Sequence, residues 1–232
     1  MQKSSLLFQA LFLVVASFTT AQSKLVQINI KSVYADYVIV LKDTGFSLND
    51  SDHLSIDLIK FYLSGFQFFK NGKPVFKEEN SYHLVLPAES NPFIINILNK
   101  NSQDFDEVQF NLGIDSITNV SGALGGDLDP TRGMYWTWSS GYINIKLEGR
   151  SDLCSSKTKD FQFHLGGYQS PFSTLKKVKL KVENSSIINI QLDIKNLLDQ
   201  IELKKLDHIM SPSEEAVRIS NIVANSFSIS RH

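Results

Sequence analysis

The sequence predicts an all-β fold, an antiparallel β-sandwich with Greek-key connections and a short C-terminal helix. Three observations support this prediction. Apolar residues alternate with polar ones through most of the chain, turn sequences separate the alternating runs, and apolar residues recur at helical spacing only near the end. Phenylalanine is abundant, with 16 in 232 residues, which favours an ordered core over disorder.

The N-terminal residues have the pattern of a secretory signal peptide. Lys3 precedes an apolar run from Leu6 to Phe18, and small residues follow where a signal peptidase cuts. The run is too short for a membrane span. We therefore expect residues 1–21 to be removed and residues 22–232 to form a single domain. This mature chain would lie in the periplasm or outside the cell, without membrane insertion.

Ten alternating or short apolar runs are predicted to be strands: Leu25–Ile30, Tyr37–Leu41, Ile59–Phe69, Tyr82–Leu86, Phe93–Leu98, Val108–Leu112, Tyr142–Leu147, Phe161–Leu165, Val178–Val182 and Ile187–Ile194. The clearest alternation is at residues 177–182, where lysines alternate with valine and leucine, as in a sheet with one wet face. Asn71-Gly72 lies between two apolar stretches and predicts a hairpin.

Helix is predicted only near the C-terminus. Ser211 is placed as an N-cap, Pro212 as the first helical residue and Glu214 as the partner in a capping box. Apolar residues then recur at helical spacing over residues 216–223. A shorter helical segment is predicted over residues 196–201.

Composition and motifs exclude several classes of function. The 23 basic and 24 acidic residues leave a net charge of −1, so nucleic-acid binding is disfavoured. Cys154 is the only cysteine, which excludes an internal disulfide and thiolate-cluster metal sites. The chain lacks a nucleophile elbow, a P-loop, a dinucleotide fingerprint and a His-Glu-x-x-His pair, so we do not expect an enzyme.

Two histidines lie on predicted strands and are candidate metal ligands. His83 shares a strand face with Val85, and His164 shares one with Gln162. Imidazoles held on rigid strands suit copper or zinc, because the sheet fixes the rings before the ion arrives. The alternative is that each is a hydrogen-bonded structural residue, which is the commoner role of a strand histidine.

A third candidate ligand, His208, lies just before the predicted helix. Met210 follows two residues later and adds a thioether, a soft donor suited to Cu(I). The alternative is that Met210 fills the core and His208 faces water.

Both tryptophans occur within three positions, Trp136 and Trp138, between a Gly/Asp/Pro turn and an alternating strand. Two indoles this close either anchor a core or contribute oxidisable side chains to a site. Core packing is the default interpretation.

Several stretches together resemble the MbnP-like family, exported copper-binding proteins named after a member associated with methanobactin operons. In chain order the matching stretches are residues 59–64, 82–84, 113–116, 128–149, 163–166, 208–212 and 225–227. The most specific is residues 129–149, which includes both tryptophans. The stretches occur in order from residue 59 to residue 227 and so span most of the chain that follows the predicted signal peptide.

The resemblance implies an extracytoplasmic β-sandwich that binds copper, as Cu(I), for uptake, storage or delivery. Related copper-repressible proteins hold the ion with two histidines and a kynurenine made from tryptophan, and His83 and His164 are the best matches to those histidines. In those relatives the modified tryptophan lies two residues before the first histidine, a place that Ser81 occupies here. Trp136 and Trp138 remain as oxidation sites, and a di-haem peroxidase-like protein is the implied partner.

In this interpretation two neutral imidazoles hold Cu(I), and His208, Met210 or water supplies a third donor. The competing hypothesis is a metal-free cell-surface module that binds a protein or glycan through exposed aromatic residues. It predicts that His83 and His164 lie far apart or are each engaged in structural hydrogen bonds. A hydrolase with a spatially assembled site is the third hypothesis, and the sequence supplies no nucleophile and base for it.

Overall fold

A computed structural model of the chain describes residues 23–35, 37–43, 46–47, 53–86 and 92–230. Residues 1–21, the predicted signal peptide, lie outside the described residues. Among the described residues, no helix is both long enough and apolar enough to cross a bilayer.

Strands dominate the described part of the chain. In chain order they are β1 (Lys24–Tyr34), β2 (Tyr37–Val38), β3 (Leu54–Lys70), β4 (Lys73–Lys77), β5 (Tyr82–Val85), β6 (Phe93–Asn99), β7 (Glu107–Leu112), β8 (Tyr135–Trp136), β9 (Gly141–Ser151), β10 (Asp160–Gly166), β11 (Lys176–Lys181), β12 (Ile187–Asp193), β13 (His208–Ile209) and β14 (Phe227–Ile229). The helices are α1 (Ser116–Val120), α2 (Ile194–Leu198) and α3 (Glu214–Asn225), with two short 3-10 turns at Gly126–Leu128 and Pro130–Arg132.

The strands form a smaller and a larger sheet. The smaller has the order β14-β12-β1-β2, with β6 also paired to β1. The larger has the order β11-β7-β3-β9-β10-β13, with β4 and β5 paired to β3 and β8 to β9. The prediction of a β-rich, sandwich-like fold is therefore confirmed, whereas the Greek-key connections stay a prediction.

The sheets are mixed, which corrects the expectation of a purely antiparallel sandwich. Strand β1 pairs in parallel with β12, and β10 pairs in parallel with β13, whereas the remaining ladders are antiparallel. Parallel pairing requires a long connection back to the same end of the sheet, and such connections leave no mark in local alternation. Asn71 and Gly72 both have positive φ and connect β3 to β4, as the hairpin prediction required.

The main core lies between the two sheets. It combines residues of the smaller sheet, such as Ile28 and Ile190, with residues of the larger one, such as Phe61 and Phe163. Buried residues of α3 complete it. This side of the larger sheet is called the inner face below.

A second apolar cluster lies on the opposite, outer face of the larger sheet. It contains Tyr62, Leu84, Ile114, Leu128, Met134, Trp136, Tyr142 and Ile143. Most of its residues outside the sheet belong to the long connection between β7 and β9 (residues 113–140), which packs over the strands. Lys60 on β3 and Lys146 on β9 are paired across the two strands, and they donate hydrogen bonds to the carbonyls of Arg132 and Gly133 in this connection.

The C-terminal helix begins two residues later than predicted. Ser213, not Ser211, is the N-cap, and its hydroxyl accepts a hydrogen bond from the Ala216 amide. Pro212 therefore precedes the cap. Ser213 is extended, and its side chain is the one placed to satisfy the first free amides of the helix. Helix is also not confined to the C-terminal part, because α1 begins after Asp115, whose carboxylate caps the Thr118 amide.

Candidate functional site

His83 lies on the inner face of the larger sheet. It pairs with Leu63 across β3 and β5, and its strand neighbour Val85 pairs with Phe61, both partners being core residues. The imidazole lies edge-on to the Phe66 ring, with centroids 5.9 Å apart. Its Nε2 is hydrogen-bonded to Glu78 Oε2 at 2.8 Å. Pairing and packing both hold His83 among core groups.

Glu78 links His83 to a buried hydroxyl. The Ser81 hydroxyl donates to Glu78 Oε2, the same oxygen that contacts His83, and accepts a hydrogen bond from the Phe66 amide at 3.0 Å. Ser81 occupies the place at which the resemblance located a modified tryptophan. Here this position closes a hydrogen-bonded turn before β5, which gives it a structural role.

His164 lies on the outer face. Its strand neighbours Phe161, Phe163 and Leu165 are core residues, so the alternation of β10 turns His164 away from the core. It pairs with Lys146, which in turn pairs with Lys60 on β3. His83 and His164 therefore point to opposite faces of the sheet. The structure does not bring these two imidazoles together, because the pairing partners of each strand decide which of its faces is turned to the core.

His164 is buried and paired with one carboxylate. Its Nε2 is 2.7 Å from Glu148 Oε1 on the neighbouring strand β9. Burial lowers the pKa of His164, and the hydrogen bond to Glu148 opposes this shift only in part. A positive charge on His208 lowers the pKa of His164 further, so the two imidazoles interact electrostatically. His164 is thus suited to remain neutral, the form that binds metals.

His208 lies beside His164 on the same face. Strand β13 runs parallel to β10, with His208 opposite Gln162, and Gln162 shares the outer face with His164. The Nδ1 of His208 is 2.9 Å from Asp207 Oδ1, and its Nε2 is 3.4 Å from Asp160 Oδ2. Its hydrogen bond with Asp207 raises the pKa of His208. Although burial opposes it, hydrogen bonding from His208 and Ser155 lowers the pKa of Asp207 to about 2.

Met210 follows buried Ile209 at the end of β13 and is 45% exposed. Because side chains alternate along an extended chain, we place Met210 on the same side as His208. It does not fill the core, which was the alternative interpretation from the sequence. Met210 therefore lies at the open edge beside His208.

The two tryptophans differ in burial. Trp136 is 7% exposed and belongs to the outer cluster, where its ring lies against Gly166. Trp138 is 65% exposed and lies beside Trp136, with ring centroids 5.4 Å apart. Core packing thus describes Trp136 and not Trp138.

Sequence reasoning missed the carboxylates that hold the imidazoles: Glu78, Glu148, Asp160 and Asp207. Asp207 directly precedes His208 in the sequence, so this one pairing could have been predicted. The partners of His83 and His164 are brought in by turn and sheet geometry. Within the described residues, no group of three or more histidine, cysteine, aspartate or glutamate side chains is arranged to hold a metal ion. A site formed by His164, His208 and Met210 contains two such side chains, the histidines, because a methionine thioether is not among the residue types counted.

Comparison with known proteins identifies the family. The family model named MbnP matches residues 23–212, most of the chain. The chain belongs to the MbnP family. Among solved structures it is similar to MbnP from Methylosinus trichosporium, with 13% sequence identity, a TM-score of 0.56 and 83% of each chain covered. At this identity the similarity shows the fold. No curated protein sequence matches the chain.

Proposed function

We propose that this MbnP family member is an exported copper-binding protein that holds Cu(I) on the outer face at the β10–β13 edge. The ligands in this proposal are His164 and His208, with Met210 as a third, soft donor. The observation that carries the proposal is that His164 and His208 lie on one face of two neighbouring parallel strands, with His208 opposite Gln162, two residues from His164 along β10. His83 is not part of this site.

The hydrogen bonds of the two imidazoles fit a ligand role. A histidine that binds a metal usually donates its other ring N–H to a carboxylate or carbonyl, which fixes the ring and its tautomer. Glu148 contacts Nε2 of His164, and Nδ1 has no hydrogen-bond partner within the described part of the chain. Asp207 contacts Nδ1 of His208. His164 would therefore bind through Nδ1 and His208 through Nε2, where the ion would replace the 3.4 Å contact with Asp160.

Cu(I) is the ion that this donor set favours. Two neutral imidazoles satisfy its low coordination number, and a thioether is a soft ligand that prefers Cu(I) to harder ions. An ion that requires four or more donors would lack ligands here, since the described residues supply no larger cluster. Binding without turnover suits uptake, storage or delivery, in a chain that carries a predicted signal peptide.

A Cu(I) competition titration on the mature protein tests the proposal. His164→Ala and His208→Ala should each weaken binding by more than ~10-fold, because even loss of a group that only orients a ligand costs about 10- to 100-fold. His83→Ala is the matched control, since it removes an imidazole from the other face, and its affinity should equal that of the wild type. Equal affinities in all four proteins would refute the site.

Tryptophan oxidation by a di-haem peroxidase-like partner belongs to the same proposal. Because Trp138 is far more exposed than Trp136, Trp138 is the indole that such a partner would reach. Peptide mass spectrometry of protein isolated from its native host should then find oxygen added at Trp138. Modification at Trp136 alone would contradict this assignment.

The alternative is a metal-free interaction module. One observation favours it: His83 and His164 are each hydrogen-bonded to a glutamate, on opposite faces of the sheet. Copper absent above background from a folded wild-type protein would select this alternative.

A further inference from the structure

One end of the molecule carries an aromatic cleft that the copper proposal does not use. The cleft has a volume of about 310 Å³. Its walls include the rings of Trp136, Tyr168 and Phe172 together with Pro171 and Pro212. Ser139, Gln169 and Ser170 supply its polar groups.

Three segments that are distant in sequence are fixed around this cleft by close backbone approach. A Cβ atom at Gly141 would lie 3.2 Å from the Tyr168 ring, and one at Gly166 would lie 2.5 Å from the Trp136 ring. A Cβ at Gly167, whose φ is +123°, would lie 2.4 Å from the Phe172 carbonyl and 3.1 Å from Pro212. Glycine at these positions lets the cleft walls come together.

Exposed apolar side chains surround the same end. Asn119 in α1 accepts a hydrogen bond from the Tyr142 amide at 2.9 Å, which places α1 beside the start of β9. On that helix Ile117 and Val120 are 77% and 68% exposed. Trp138 stands exposed next to Trp136. Solvated aliphatic and indole groups grouped around a cleft are typical of an interaction surface.

Among the described residues, none of the side chains that line the cleft is acidic or basic, although a fifth of the chain is charged. A cleft elsewhere on the molecule, lined by Lys42, Asp57, Arg150, Asp152 and Lys159 among others, is strongly charged. A charged ligand group entering the aromatic cleft would lose water without gaining a partner. The complementary ligand is therefore uncharged at the point of contact.

We propose that this cleft binds an extended, proline-containing segment of a partner polypeptide in the polyproline II conformation. Such segments dock into aromatic-lined grooves, and their backbone carbonyls have no internal hydrogen bonds. The hydroxyls of Tyr168, Ser139 and Ser170 and the amide of Gln169 can donate to those carbonyls, while the rings of Trp136 and Phe172 pack against the prolines. The proposal does not depend on copper binding.

Peptide selection tests the proposal. A phage-displayed library of random decapeptides is selected on the folded mature protein and counter-selected on the Phe172→Ala variant, which removes a ring from the cleft wall. The enriched peptides should share a pattern of two or more prolines. No enrichment, or a shared pattern without proline, would overturn the proposal.

Calorimetry with the synthetic consensus peptide then measures affinity. Tyr168→Ala and Phe172→Ala each remove a ring that lines the cleft, and each should weaken binding by about 10-fold or more, as expected for aromatic anchors. Tyr37→Ala is the control, since it removes an exposed aromatic side chain from the smaller sheet, and it should bind like the wild type. Equal affinity in all variants would contradict the assignment. Binding to a glycan array that is abolished by Phe172→Ala, with no peptide binding, would also contradict it.

A measurement on the wild type alone covers the case in which a variant fails to fold. The chain has two indole N–H groups, so two resonances report on Trp136 and Trp138. Both should shift on addition of the consensus peptide. If neither resonance moves, the peptide binds elsewhere and the proposal is wrong.

Discussion

The inner and outer faces of the larger sheet hold histidines in similar ways and give them different chemistry. His83 and His164 each lie on a strand, and each contacts one glutamate oxygen through Nε2. His83 packs against core residues such as Phe66, with 21% of its side chain exposed, and shares its glutamate with Ser81. His164 stands next to a second imidazole, His208, at an open edge. A strand histidine thus becomes a candidate ligand through its neighbours across the sheet.

The outer face depends on close packing between Trp136 and Gly166, and this contact carries the largest expected effect on stability. In Gly166→Ala, the new methyl would lie 2.5 Å from the indole and 2.8 Å from the Tyr142 carbonyl. Overpacking of this kind costs about 1–3 kcal/mol. Urea denaturation should show this loss. Gly125→Ala is the control, because nothing lies within 4 Å of its added methyl, and an unchanged Gly166→Ala variant would contradict the packing described.

The inner face depends on the Ser81 hydroxyl, and its loss is the next largest effect. Ser81→Ala leaves the buried Phe66 amide without its acceptor, which costs about 1–3 kcal/mol in the free energy of unfolding. Exposed Ser121, whose hydroxyl donates to the Ile117 carbonyl, gives the control variant Ser121→Ala, expected within about 0.5 kcal/mol of wild type. Similar losses of unfolding free energy in Ser81→Ala and Ser121→Ala would contradict the prediction that the buried hydroxyl contributes more to stability than the exposed one.

The two outer-face histidines should titrate on opposite sides of the ordinary value of 6.5. The folded-state pKa of His164 is lowered and that of His208 is raised. As pH falls from 6.5 toward the lowered value, the unfolded chain takes up a proton before His164 does, so the contribution of His164 to stability decreases. The contribution of His208 is fully present below 6.5 and is lost as pH rises through its raised value. Imidazole NMR titration of the apoprotein checks both directions, and midpoints in the reverse order would refute them.

Local alternation was sufficient to place both histidines on strands, and Asn71-Gly72 was sufficient to predict the β3–β4 hairpin. Local alternation could not predict which face of the sheet each histidine side chain occupies. Alternation shows that His83 lies with Val85, but the pairing of β5 with β3 decides that this side is the core. The parallel contact of β10 with β13 joins segments more than 40 residues apart and brings His208 to His164. Such nonlocal pairing leaves no local sequence signal.

Helix α1 is a different case, because a local signal existed. Asp115 caps Thr118 three residues later, a spacing typical of a helix start. The five-residue helix is too short to show apolar periodicity, and the two residues that its period would have marked, Ile117 and Val120, face solvent. The same end of the molecule forms the aromatic cleft.

The most direct test of the outer-face site is imidazole ¹⁵N NMR of the mature protein during stepwise addition of Cu(I). We expect the ring nitrogens of His164 and His208 to shift together and saturate at one equivalent of copper, while those of His83 stay unchanged. Shifts at His83 with no change at His164 and His208 would place the metal on the inner face and contradict the account.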